Sequence, residues 1–107
     1  MPPKERREIA ESGALHRTIP KSHTDVSVGT SNGTYNLLPF ANRWVYIRAI
    51  TADVTIKLGS GNAIANTGEG FVLVAGDPAQ EFYVDGGDDL VLNHRAASTA
   101  TLRILSD

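Results

Sequence analysis

The sequence predicts an all-β protein: an antiparallel β-sandwich, jelly-roll-like, of about eight strands, with an extended N-terminal arm. Three observations carry this expectation. From Thr24 onward, apolar residues recur with period two. The alternating stretches are short and follow one another roughly every 8–12 residues, with turn residues between them. After residue 23 no segment has a helical period long enough for a crossover helix, which argues against alternating βαβ units.

The elements follow in order. "TDVSVG" alternates and runs into "TSNG", a strong turn signal. "TYNLLPF" is the second strand. "NRWVYIRAI" places Val45, Ile47 and Ala49 on one face and Trp44, Tyr46, Arg48 and Ile50 on the other. "DVTIKL" sets Val54, Ile56 and Leu58 against Asp53, Thr55 and Lys57. "GSGNAIANTGEG" reads as a flexible glycine-rich excursion, one that could touch a neighbouring subunit. "FVLVA" is a nearly continuous apolar run, closed by the turn "GDP". "QEFYVD" and "DLVLNH" are split by Gly86-Gly87, and "STATLRILS" turns Ala100, Leu102 and Ile104 to one side.

At 107 residues the chain is one domain. It divides at residue 23 into an arm, 1–23, and a sandwich, 24–107. The arm is poor in large apolar residues, with Met1, Ile9, Leu15 and Ile19. Its Pro2-Pro3 start and Gly13 allow a helical turn or two. It cannot build a core of its own, so it is read as extended or partly helical, free or laid on a partner. Residues 1–21 hold five Lys/Arg against three Glu, a net of +2; the remainder holds five against nine, a net of −4. That basic balance is too weak to predict nucleic-acid binding, which draws on many phosphate contacts. No Sec-type signal or membrane span is expected, because no apolar run is long enough. Without cysteine there is no disulfide, thiolate nucleophile or cysteine-ligated metal.

The search for chemistry is short. His16 and His23 stand seven apart, outside the tight spacing of zinc ligands, and His94 closes a strand with no nucleophile or carboxylate motif near it. No G-x-S-x-G elbow or phosphate-binding loop occurs. The chain is therefore expected to be no enzyme and to need no cofactor. The acidic stretch "EFYVDGGDDLVLNH" offers Asp85, Asp88 and Asp89 as cation ligands, but not at calcium-loop spacing. It reads instead as a β-hairpin whose glycines supply the positive φ of a primed turn. Trp44, Tyr46 and Arg48 leave two readings open. Either Trp44 fills the core, or the aliphatic face is inside and a Trp-Tyr-Arg stripe, of interface character, lies outside. An exposed aromatic pair would also suit a carbohydrate-binding module.

The stretches "RWVYIRAITADVTIKLGSG" and "TGEGFVLVAGDPAQEFYVDGGDDLVLNHRAASTATLRIL" resemble small structural proteins of tailed bacteriophages, most of all capsid decoration (cement) proteins. The resemblance covers residues 43–105 and rests on strand pattern rather than on a site motif. It implies a virion protein on the capsid exterior that binds the major capsid protein and stabilises contacts between its neighbouring subunits. It also implies a homotrimer and an N-terminal arm that clamps neighbours. The interface candidates are then Arg6, Arg7, Ile9, Leu15, Arg17 and Ile19 in the arm, with Trp44, Tyr46 and Arg48 on the body. A head–tail joining protein or a tail-fibre module is the alternative within the same class.

Overall fold

A computed structural model describes residue 20 and residues 22–106. Among these residues eight strands form two four-stranded sheets, every pair antiparallel. They are β1 (Ser22–Val28), β2 (Gly33–Asn36), β3 (Arg43–Ala49), β4 (Val54–Leu58), β5 (Phe71–Leu73), β6 (Gln80–Val84), β7 (Val91–Ala96) and β8 (Ala100–Ser106). The first sheet has the order β1-β8-β3-β6 and the second β2-β7-β4-β5. Every connection except β4–β5 carries the chain from one sheet to the other. Ser22 and His23, counted with the arm by sequence, begin β1 and pair with Ser106 and Leu105. Among the described residues no helix is long and apolar enough to cross a membrane.

Period two decides what is buried. Val26 and Val28, Val45, Ile47 and Ala49, Val54 and Ile56, Leu92 and Ala96, and Ala100, Leu102 and Ile104 join one apolar cluster drawn from both sheets. Val45, Leu102 and Ile104 have no exposed surface. The ambiguity at β3 is thereby resolved: the aliphatic face points inward, and Trp44, Tyr46 and Arg48 stand on the outer face. β-branched and leucine side chains pack that interior more closely than an indole beside a guanidinium would.

Three expectations need correction. "TYNLLPF" is a strand only to Asn36, since Leu38–Phe40 forms a 3-10 turn with Pro39 in its first positions. The Asn36 Oδ1 accepts from the Leu38 N–H at 2.9 Å, a local bond that competes with the sheet ladder. The turn still delivers Leu37 and Phe40 to the core.

The acidic stretch is no hairpin. β6 pairs with β3, and β7 pairs with β2 and β4, so the two strands belong to different sheets. The Gly87–Leu90 segment is a 3-10 turn carrying the chain across, and Gly87 takes φ +70°. Alternation on both sides of a glycine pair says that two strands meet a turn, but not that they pair with each other.

The third correction concerns the glycine-rich loop, which is fastened to the outer face of the second sheet. Arg95, on β7, donates through Nε to the Thr30 carbonyl at 3.0 Å and through Nη1 to the carbonyls of Ile64 and Ala65. Asn32 Oδ1 accepts from the Ile64 N–H at 2.8 Å, and Thr55 Oγ1 from the Gly68 N–H at 2.9 Å. Ile64 is buried beneath this net. Where the loop rejoins the sheet, a Cβ on Gly70 would lie 2.7 Å from the Ile56 carbonyl oxygen, so only glycine fits.

Candidate interaction surfaces

The outer face of the β1-β8-β3-β6 sheet gathers the polar and aromatic half of four alternating strands. One cross-strand row runs His23–Leu105–Tyr46–Glu81. Beside it, Asp25, Arg103 and Arg48 are successive neighbours. Toward the β6 edge, Trp44 lies opposite Tyr83, and their rings stack with centroids 5.5 Å apart and planes 18° from parallel. Sequence reasoning found Trp44, Tyr46 and Arg48; Tyr83, Leu105 and Arg103 join them only through strand pairing. Alternation sets Tyr83 opposite Phe82 and Val84, and Leu105 opposite Leu102 and Ile104, but it does not say which face is outward or which strand they meet. The arm candidates Arg6, Arg7, Ile9, Leu15, Arg17 and Ile19 lie outside the described residues, as does His16.

Two arginines face each other across β3 and β8. Like charges opposite one another destabilise a sheet unless one is neutralised. Asp25 does this for Arg103, accepting Nε at 2.8 Å and Nη2 at 3.0 Å in a two-pronged pair. That hydrogen bond, more than the charge alone, holds the Asp25 carboxyl below the ordinary carboxylate range. An NMR titration should therefore place the Asp25 midpoint below that of a free aspartate, and Arg103→Gln should return it to normal. The stabilising part of this pair is present above the ordinary aspartate pKa and is lost as the pH falls through the lowered one. An unchanged midpoint in the variant would show that the pair does not form in solution. Arg48 Nε is buried and has no hydrogen-bond partner among the described residues.

The second surface is one the sequence did not announce. Between the sheets, on the side of β5 and β6, lies a cleft of about 230 Å³. Its walls are apolar and include Leu37, Ile47, Ile56, Phe82 and Leu92. Phe71 stands at its mouth, half exposed, edge-on to Phe82 with centroids 5.4 Å apart. β5 has β4 on one side only, so its other edge carries no strand among the described residues. Val72 and Val74 are exposed there as well. The signal was the run "FVLVA" itself: a continuous apolar stretch suits a strand buried on both faces, and β5 is an edge strand.

The chemically suggestive residues do not converge. Asp85 and Asp88 are exposed on the crossing turn. Among the described residues no three His, Cys, Asp or Glu side chains are grouped to hold a metal ion. His94, buried in β7, faces inward across from Gly33 and Ile56. Burial lowers its pKa, against a smaller opposing pull from backbone groups of its own residue and of Thr34. It lies in the packed interior, without access to a substrate. Comparison with known proteins returns no match among family models, curated sequences or solved structures.

Proposed function

We propose that the chain is a structural protein of a bacteriophage virion, a decoration protein that binds the outer capsid surface and stabilises contacts between neighbouring capsid subunits. The observation that carries the reading is the outer face of the β1-β8-β3-β6 sheet. Stacked Trp44 and Tyr83, with Leu105 and two arginines around a buried Tyr46, make a patch of the residue types that dominate protein interfaces. The strand order supports a jelly-roll sandwich. Two four-stranded sheets, with a chain that changes sheet at all but one connection, suit that architecture. The resemblance over residues 43–105 points the same way, and with it come the homotrimer and the arm as a clamp on the major capsid protein.

A carbohydrate-binding module fits less well. A sugar platform needs an open aromatic face, and Trp44 and Tyr83 each give one face to the other. Within the virion, copy number separates the roles: hundreds per particle for decoration, a dozen or fewer for a head–tail joint.

The test uses capsids lacking this chain. Full-length protein should co-sediment with the assembled lattice and not with free capsid subunits. Trp44→Ala should weaken that binding about thirtyfold, the loss of a central anchor of about 2 kcal/mol. No co-sedimentation with the lattice, or full binding by the variant, would reject this face as the docking surface.

A further inference from the structure

The open edge of the second sheet, at β5, is not used by the outer-face reading. We propose that β5 of one copy of this chain pairs antiparallel with β5 of a second copy about a two-fold axis at Val72, joining two four-stranded sheets into one continuous sheet.

Three observations support a second copy as the occupant. The first is the backbone. Along an antiparallel strand, successive residues turn their N–H and C=O groups to opposite sides. Just past β4, the Gly59 N–H donates to the Val91 carbonyl at 2.9 Å, on the β7 side. By that alternation Thr55 and Lys57 bond toward β7. Val54 and Ile56 bond toward β5, where their partners are Leu73 and Phe71. Val72, between those two, therefore turns its N–H and C=O to the open edge. The Ala75 N–H agrees, since it reaches back to Asp53 Oδ1 at 2.8 Å, on the β4 side.

The second is the side chains. Among the described residues the exposed large apolar side chains are Leu38, Leu58, Phe71, Val72 and Val74. All but Leu38 lie on β5, just past it, or at the end of the adjoining β4. Val72 pairs with Thr55 on the outer face, and Phe71 with Ile56 on the cleft side. The edge is thus apolar on both faces.

The third is the match. A strand that fits this edge must itself be apolar on both faces. The other edges are not. β1 carries His23 and Asp25, β6 carries Gln80 and Glu81, and β2 exposes Thr34 and Asn36. Edge strands usually carry such residues as a guard against pairing. β5 is Phe-Val-Leu, and Glu69 and Asp77 stand beyond its ends. Among the described strands, only β5 of another copy supplies the match. A two-fold axis normal to the sheet presents it, because it reverses the strand and keeps each face on its own side. With the axis at Val72, the two Val72 residues exchange both N–H···O=C bonds and their side chains meet on the outer face. Phe71 of each copy then lies opposite Leu73 of the other, on the cleft side.

This contact does not rest on the capsid reading, which uses the other sheet, and its test is separate. Sedimentation of the full chain should show a concentration-dependent doubling of mass. Val72→Pro removes an N–H that faces the open edge, a position where a strand tolerates proline. It should weaken the doubling at least about tenfold. Val72→Lys, which leaves the backbone donor in place and adds a charge, should do the same. Both variants should keep the thermal melt of the dilute wild type. In the wild type, hydrogen exchange at the Val72 amide should slow as the protein is concentrated. A mass that does not double, or that doubles equally in both variants, would overturn the contact. Protection at Val72 that is equal at every concentration would also overturn it, because the edge would then be covered from within one chain. Protection that appears only on capsids would do so too, by making the capsid the occupant.

Discussion

Replacing Asn93 by alanine is expected to lower the unfolding free energy by about 3 kcal/mol, a large share of what a domain this size has to lose. Asn93 points outward from β7 yet is only 3% exposed, because the 59–70 loop covers it. Its Nδ2 donates to the Gly59 carbonyl at 2.9 Å and to the Lys57 carbonyl at 3.3 Å. Its Oδ1 accepts from Asn32 Nδ2 at 3.3 Å. Asn32 in turn holds the Ile64 N–H. Removing the amide breaks the chain of bonds at its centre, leaves the buried Gly59 carbonyl only the longer bond from the Asn62 N–H at 3.2 Å, and opens a hole under the loop, which together cost more than the bonds' modest net worth. Asn93→Asp should be as damaging, since a carboxylate cannot donate to Gly59 and would be buried charged. Urea unfolding should show a lower midpoint at unchanged slope, and the loop should be cleaved first by protease. A shift under about 0.5 kcal/mol, the range of ordinary surface substitutions, would mean that the loop is not held in this way.

This loop also shows where sequence reading stops. Glycine spacing in "GSGNAIANTGEG" correctly said that no strand or helix runs there. It could not say that the segment is fixed, because the fixing groups are distant: Asn32, Thr55, Asn93 and Arg95. A trace of the answer was local. Asn93 and His94 are adjacent polar residues in the middle of an alternating strand, and such a pair asks what satisfies each of them.

The strands themselves were legible, because period two follows from the pleat and one face of each strand is buried. Their partners were not. The same alternation in "EFYVDGGDDLVLNH" serves a hairpin or a crossing between sheets, and the choice depends on β3 and β4, which lie more than twenty residues upstream. The candidate surfaces divide in the same way. Trp44 and Arg48 could be placed on one face from β3 alone. Their company of Tyr83, Leu105 and Arg103 required knowing that β6 and β8 flank that strand. The cleft beside β5 left only the run "FVLVA" as a trace, since its walls come from both sheets.

The second large effect concerns His94 and Gly33, which meet inside the protein. The two residues are direct cross-strand partners, and the imidazole covers the glycine. A Cβ on Gly33 would lie 2.5 Å from His94 Cε1. Gly33→Ala must therefore displace the ring or the strand, and overpacking of this kind costs about 1–3 kcal/mol. The ring is only 5% exposed, and its Nδ1 has no hydrogen-bond partner among the described residues. Burial consequently holds its pKa below the ordinary histidine value. The direction of the linkage follows. Between the lowered folded pKa and the unfolded value near ~6.5, the unfolded chain binds more protons than the folded one. Stability from this site is complete above that unfolded value and falls as the medium is acidified toward the folded pKa, with a slope of at most about 1.4 kcal/mol per pH unit. His94→Gln should flatten this slope, while exposed His23 remains in place on β1. Gly33→Ala should cost markedly less in a His94→Ala background, where no ring opposes the added methyl. An equal cost in both backgrounds would show that the strain at Gly33 lies in the backbone rather than against the imidazole.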